Sequence, residues 1–243
     1  MRLALIILSL LALSSPLRAD FSLPADSTQC VVGIAKGWDE SHITLHIYEK
    51  RDGTWQRVHG PWAARVGRSG LAWGRGLHPN PDDAKLKREG DRRAPAGVFR
   101  IGGAWGYDKK IQKHQRLFYR QITTRDLWVE DPESRHYNQH LVLDHKPASA
   151  WEKRAQMRQN DHAHSLKLFI AHNAVPDIQA GAGSAIFFHI WRADGKRPTA
   201  GCTSMPESKL RQLIAWIDPD QNPLYVLLPE KSYRQHRAPW ALP

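Results

Sequence analysis

A histidine and a cysteine flank a polar loop in the segment FFHIWRADGKRPTAGCTSMPE, residues 187–207. A thiolate is a strong nucleophile, and an imidazole within reach can take its proton. Cys202 with His189 is therefore a candidate nucleophile–base pair. Gly201 allows close backbone approach, and the amides around Cys202 are candidate oxyanion donors. Two other readings compete. Cys202 can be an inert structural thiol, or it can bridge to Cys30, the one other cysteine in the chain. No second cysteine or tight histidine pair completes a four-ligand set, so a zinc site is not expected. His136 with His140 and His162 with His164 fall in polar, loop-like stretches and read as surface.

The elements that must hold this pair are mostly strands. Alternation in SAIFFHIW places Phe187, His189 and Trp191 on one face and Ile186, Phe188 and Ile190 on the other. CVVGIA, HITLHIYE, WQRVHG, GVFRIGG, LKLFIAHN and LYVLLP also read as strands, separated by Gly, Pro and Asp turn signals. Cys30 in CVVGIA reads as a small buried hydrophobe. Helices are expected near 148–159 and after Cys202, where Leu210, Leu213, Ile214 and Ile217 recur at helical spacing. Ser204 and Glu207 fit a capping box, which would put the positive end of a helix close to Cys202 and favour its thiolate. The pattern predicts a mostly-β fold, a sandwich or open barrel with two or so packed helices.

The segment MRLALIILSLLALSSPLRAD has a positive start, a short apolar run and a small residue at position 19. It reads as a secretory signal over 1–19, too short to span a bilayer. A lead over 20–29, one domain over 30–229 and a basic tail over 230–243, expected to be loose, complete the organisation. The chain carries a formal charge of +11. Such a balance suits an acidic partner, but the basic residues are dispersed and match no nucleic-acid-binding motif.

The stretch from His189 through Thr199-Ala200-Gly201-Cys202 resembles the signature of the L,D-transpeptidase catalytic domain, a family of exported peptidoglycan enzymes. KREGDRRAPAGVFRIGGAWGY (87–107), WVEDPESRHYN (128–138) and FIAHN (169–173) are similar, in order, to one branch of that family. The resemblance implies a β-sandwich-like catalytic fold, with Cys202 as nucleophile, His189 as base, and Gly201 and Thr199 supporting the motif. It implies peptidoglycan stem peptides as donor and acceptor and no metal or organic cofactor; the dispersed charge argues against nucleic acid, and the short apolar run against a membrane anchor after signal cleavage. Asn173, Asp131, Tyr137, Asn138, Trp191 and Arg192 are candidates for lining the groove. Ala200 stands where the family has a second histidine, and Ser204 where many members have arginine. Arg192, Lys196 and Arg197 are candidates to replace that arginine. The donor bond is then residue 3–4 of the stem, giving a 3–3 link, or residue 1–2, giving a 1–3 link. An L,D-carboxypeptidase or other peptidoglycan hydrolase using the same pair, and a non-catalytic wall-binding domain, stay open.

Overall fold

A computed structural model describes residues 21–243; the expected signal segment 1–19 lies outside the described residues. Four strands come first: β1 (Gln29–Ala35), β2 (His42–Arg51), β3 (Thr54–Arg65) and β4 (Leu71–Trp73). The long β5 (Ala94–Gly106) is followed by the short β6 (Tyr119–Gln121), β7 (Asp126–Trp128) and β8 (His140–Val142). Then come α1 (Ala150–Arg154), β9 (Leu166–Ile170), β10 (Phe187–Ile190), β11 (Thr203–Met205) and α2 (Glu207–Trp216). The chain closes with β12 (Leu224–Pro229) and α3 (Glu230–His236).

The main sheet runs β12-β1-β2-β3-β11-β10-β9-β5-β4, and β12 also pairs with β5. That extra pairing completes a ring of eight strands, so the two faces expected of a sandwich belong to one continuous sheet. Closure leaves those strands without a free edge. β7 and β8 form a separate two-stranded sheet.

Alternation along β10 divides its side chains as the sequence predicts. Phe188 and Ile190 enter the main core with Leu45, Phe99 and Leu168. Phe187 joins a second cluster with Trp105, Ile122, Trp128 and Met157, and Cys202 packs against it. Leu210, Leu213 and Ile214 bury the inner face of α2. Gly97 marks the tightest approach in the ring. Its φ is +131°, and a Cβ there would lie 1.8 Å from the His78 ring.

Three expectations change. The helix expected over 148–159 is only Ala150–Arg154, although Ser149 and Glu152 form a complete capping box. It stops because the chain leaves to pair with β7: Gln156 bridges Leu127 and Met157 N–H donates to the Asp126 carbonyl. The capping box expected at Ser204 and Glu207 does not form. Thr203–Met205 is instead a buried strand between β10 and β3, and the cap position of α2 is Pro206. The tail expected to be loose carries α3 and packs down. Trp240 and Leu242 are buried, and the Trp240 carbonyl accepts from Leu23 N–H.

Buried imidazoles make the fold acid-sensitive. Burial lowers His78 from 6.5 to about 4 and both His172 and His189 to about 3. In the unfolded chain each takes a proton below 6.5; in the fold each stays neutral. Their contribution is fully present above 6.5 and lost as pH falls toward 4 and 3. At ~2–4 °C per kcal/mol for a domain this size, Tm at pH 4 should fall at least ~10 °C below its value at pH 7. Calorimetry across that range checks it. A Tm flat down to about pH 5 would mean that carboxylates alone set the acid limit.

Candidate active site

A cleft of about 570 Å³ contains Cys202, His189, Thr199 and Gly201. His189 comes from β10, and Cys202 sits at the end of the loop entering β11. Because β10 and β11 run parallel, with His189 opposite Ser204, the two residues approach from neighbouring strands. Both cysteines are free thiols, and Cys30 is fully buried in β1, so the Cys30–Cys202 bridge does not form.

The turn before Cys202 is held by Thr199. Its Oγ1 donates to the Cys202 carbonyl at 2.6 Å and accepts from Gly201 N–H at 3.1 Å. The Gly201 amide is thus already engaged and does not serve as a free oxyanion donor. What Gly201 supplies is room: a Cβ there would stand 3.1 Å from the Arg93 carbonyl. Cys202 Sγ donates to the Ala185 carbonyl at 3.3 Å. Ala185 has φ +54°, a left-handed conformation that costs a non-glycine residue on the order of 1 kcal/mol. Asn138 fixes it by accepting from Ala185 N–H at 2.9 Å.

His189 is buried, and its Nδ1 lies 2.8 Å from the Ile190 carbonyl. A carbonyl only accepts, so Nδ1 carries the proton and Nε2 is the basic nitrogen. Burial, helped by the charge of neighbouring His164, lowers this imidazole to about 3. Burial also pushes the Cys202 thiol up to about 11, outweighing donation from the Phe187 amide and the nearby Lys167 charge. The resting pair is therefore neutral thiol and neutral imidazole. The thiolate expected from a helix terminus is overturned: α2 starts at Glu207, beyond the intervening strand. With burial pushing the thiol up and the imidazole down, the neutral pair is favoured over the ion pair in the empty cleft. Proton transfer has to accompany attack on a bound carbonyl rather than precede it.

Two cleft residues were not legible as such. Lys167 lies opposite His189 in the β9–β10 register and is buried. Its ammonium donates to the Met157 carbonyl at 3.1 Å and lies 5.7 Å from the Phe187 ring centroid. Burial lowers it to about 8, opposed chiefly by the Cys202 sulfur and the Asp161 carboxylate. His164, read from sequence as surface, lines the cleft and stacks on His189 with ring centroids 5.0 Å apart. Its neighbour His162 is exposed as expected, whereas His140 is half-buried on the Asp126 carboxylate.

The remaining candidates disperse. Arg192 lines the cleft and pairs with Asp161. Lys196 and Arg197 are exposed on the loop and do not line it. Asn138 and Asn173 are buried supports: Asn138 Nδ2 donates to the Asn173 carbonyl, and Asn173 Nδ2 to the Gln179 and Gly183 carbonyls. Tyr137 is buried with its hydroxyl on Glu89, a carboxylate that does line the cleft. Asp131 is exposed and caps a turn through Glu133 N–H. The Trp191 ring packs over Gly195, outside the cleft lining. Among the described residues, no group of three His, Cys, Asp or Glu side chains could hold a metal ion.

Replacing Lys167 with methionine keeps the length and apolar stem but removes the charge facing Cys202. The thiol should rise further, slowing alkylation of Cys202 by iodoacetamide at pH 8 by ~3-fold or more. Mass-spectrometric rates across pH 7–11 check this. An unchanged profile would restrict Lys167 to holding the Met157 carbonyl.

The family model for the L,D-transpeptidase catalytic domain matches residues 42–226. No curated protein matches the chain. Among solved structures, the helical cell shape determining protein Pgp2 from Campylobacter jejuni is similar at 15% sequence identity and a TM-score of 0.36. That similarity covers 83% of this chain and 48% of the other, so the chain spans about half the length of that protein. The family match includes His189, Cys202 and the turn between them, and covers well over half of the sequence: the chain belongs to the L,D-transpeptidase catalytic domain family.

Proposed function

We propose that the protein is an exported cysteine transpeptidase acting on peptidoglycan stem peptides. Cys202 attacks the carbonyl of an L–D peptide bond, and His189 Nε2 takes the thiol proton and delivers it to the departing amine. A thioester on Cys202 remains, and an amine of a second stem resolves it into a cross-link. The observation that carries this reading is the placement of Cys202 and His189 in one cleft within a family-matched catalytic domain. The tautomer supports it, since Nδ1–H is anchored on Ile190 and Nε2 is left as the base.

Cationic groups at the same cleft, Arg92 and Arg192, suit the carboxylates of a stem peptide. Ser204 cannot serve there because it is buried in β11. Export is proposed from the N-terminal segment. Among the described residues, no helix is long and apolar enough to cross a membrane. The reading is tested by incubating the protein and a Cys202→Ala variant with purified tetrapeptide and pentapeptide stems, followed by mass spectrometry. Cys202-dependent dimers are expected, and the fragments identify the donor bond. Cys202-dependent cleavage without dimers would make the protein a hydrolase, and no Cys202-dependent product would exclude both activities.

A further inference from the structure

We infer that His164, held by Asp161, is a second catalytic base that serves the amine-transfer half of the reaction and not the attack by Cys202. This rests on the transpeptidase reading. His164 lies in the turn before β9, with its side chain only 16% exposed, in the same cleft as Cys202 and His189. Its Nδ1 is 2.9 and 3.0 Å from the two Asp161 oxygens. Arg192 Nη2 also lies 3.2 Å from Nδ1, but its closer acceptor is the Asp161 carboxylate, so Nδ1 donates to Asp161 and Nε2, with no partner among the described residues, is the basic nitrogen. Asp161 is fixed in turn. It accepts from His164 N–H at 3.1 Å and from Arg192 Nη2 at 2.5 Å. Arg192 belongs to the loop that leads to Cys202, so the loop carrying the nucleophile also anchors the dyad.

The two imidazoles differ in what stands behind them. His189 is backed by a neutral carbonyl and His164 by a carboxylate. The Asp161 carboxylate, already shared with Arg192, offsets part of the cost of protonating His164, which burial and the Lys167 charge lower to about 4, whereas protonated His189, lowered to about 3, has no counter-charge behind it. The charged groups facing His164 are Asp161 on its own turn, Arg192 on the loop and Lys167 on β9, and the titratable but neutral His189 faces it from β10.

Proton balance shows why an amine acceptor needs the extra base. An aliphatic amine with an ordinary pKa near 10 arrives at neutral pH as R–NH₃⁺. Forming the amide N–C bond and breaking the C–S bond releases two protons from that nitrogen. One returns to the Cys202 sulfur through His189, restoring the thiol. The second has no destination on that pair and goes to His164 Nε2, from which it leaves to solvent. Water as acceptor releases one proton to the sulfur in the same step and does not need His164. The Asp161–His164 dyad therefore sets the partition between transfer and hydrolysis.

The test uses the protein with a tetrapeptide stem as donor and a second stem as amine acceptor. The Cys202 thioester, cross-linked product and hydrolysed product are followed by mass spectrometry from pH 6 to 10. In His164→Gln the ratio of transfer to hydrolysis should fall ~10–100-fold near neutrality, the lower part of the range for loss of a general base. Raising the pH toward 10 should restore the ratio, because the acceptor then arrives as free amine. Asp161→Asn keeps the imidazole and should shift the ratio the same way by a smaller factor, covering the case in which His164→Gln misfolds. A ratio unchanged in both variants, or a fall in transfer that pH does not restore, would overturn the assignment. Absence of any thioester in the unaltered protein would instead overturn the transpeptidase reading on which it rests.

Discussion

Cys202→Ser is expected to lower acyl-enzyme formation by ~10⁴-fold or more while leaving the fold intact. The cleft does not ionise the Cys202 thiol in advance. Burial already pushes the thiol up to about 11, and a hydroxyl in the same place starts several orders of magnitude less acidic. The imidazole available to it, lowered to about 3, is too weak a base to compensate. Folding should not suffer, since Cys202 Sγ donates to the Ala185 carbonyl and accepts from the Phe187 amide, and a serine hydroxyl can keep both. Single-turnover mass spectrometry with a stem peptide measures the first effect and thermal unfolding the second. A serine variant that acylates within 10-fold of the cysteine protein would remove Cys202 from the chemistry.

His189→Gln should cost ~10²–10⁴-fold in the acylation step. Glutamine can still donate to the Ile190 carbonyl and fill much of the space, so the loss isolates Nε2 as proton acceptor. The pH profile distinguishes this from a packing defect. An imidazole base works only when neutral. An ordinary histidine would lose activity as pH falls through 6.5, but His189 stays neutral until about 3. Acylation by the unaltered protein should therefore show no acid limb from His189 between pH 7 and 5. On the alkaline side the rate should climb toward the thiol value near 11, less steeply above 8, where Lys167 sheds its charge. An acid limb centred near 6.5, absent in His189→Gln, would contradict the burial argument.

The strand register around the pair was legible because alternation is a local property: Phe188 and Ile190 had to face one way and Phe187 and His189 the other. The family motifs carried the rest of the frame. What escaped the sequence depends on pairing between distant segments. Lys167 matters because β9 lies antiparallel to β10 and sets it opposite His189. His164 matters because its turn folds over the end of the same strand. Neither relation has a linear spacing. The Ser204–Glu207 pattern failed for a related reason. Ser204 satisfies a local capping rule, but its backbone is claimed by β3 and β10 on either side, and strand pairing prevailed. Asn138 and Asn173 looked like groove-lining groups because Asn is common at polar sites. Here their side chains tie down buried backbone, and Asn138 reaches the chemistry only through Ala185.

The ring of strands also orders events in time. β12 is wedged between β1 and β5, with Cys30 opposite Leu224 and Val98 opposite Val226. A nascent chain holding β1 to β11 has a split barrel with two raw edges and no closed core, and can only close it once residues 224–229 emerge. Such distant pairing slows folding. The barrel core therefore forms as one late event, when the last strand joins the first and the fifth.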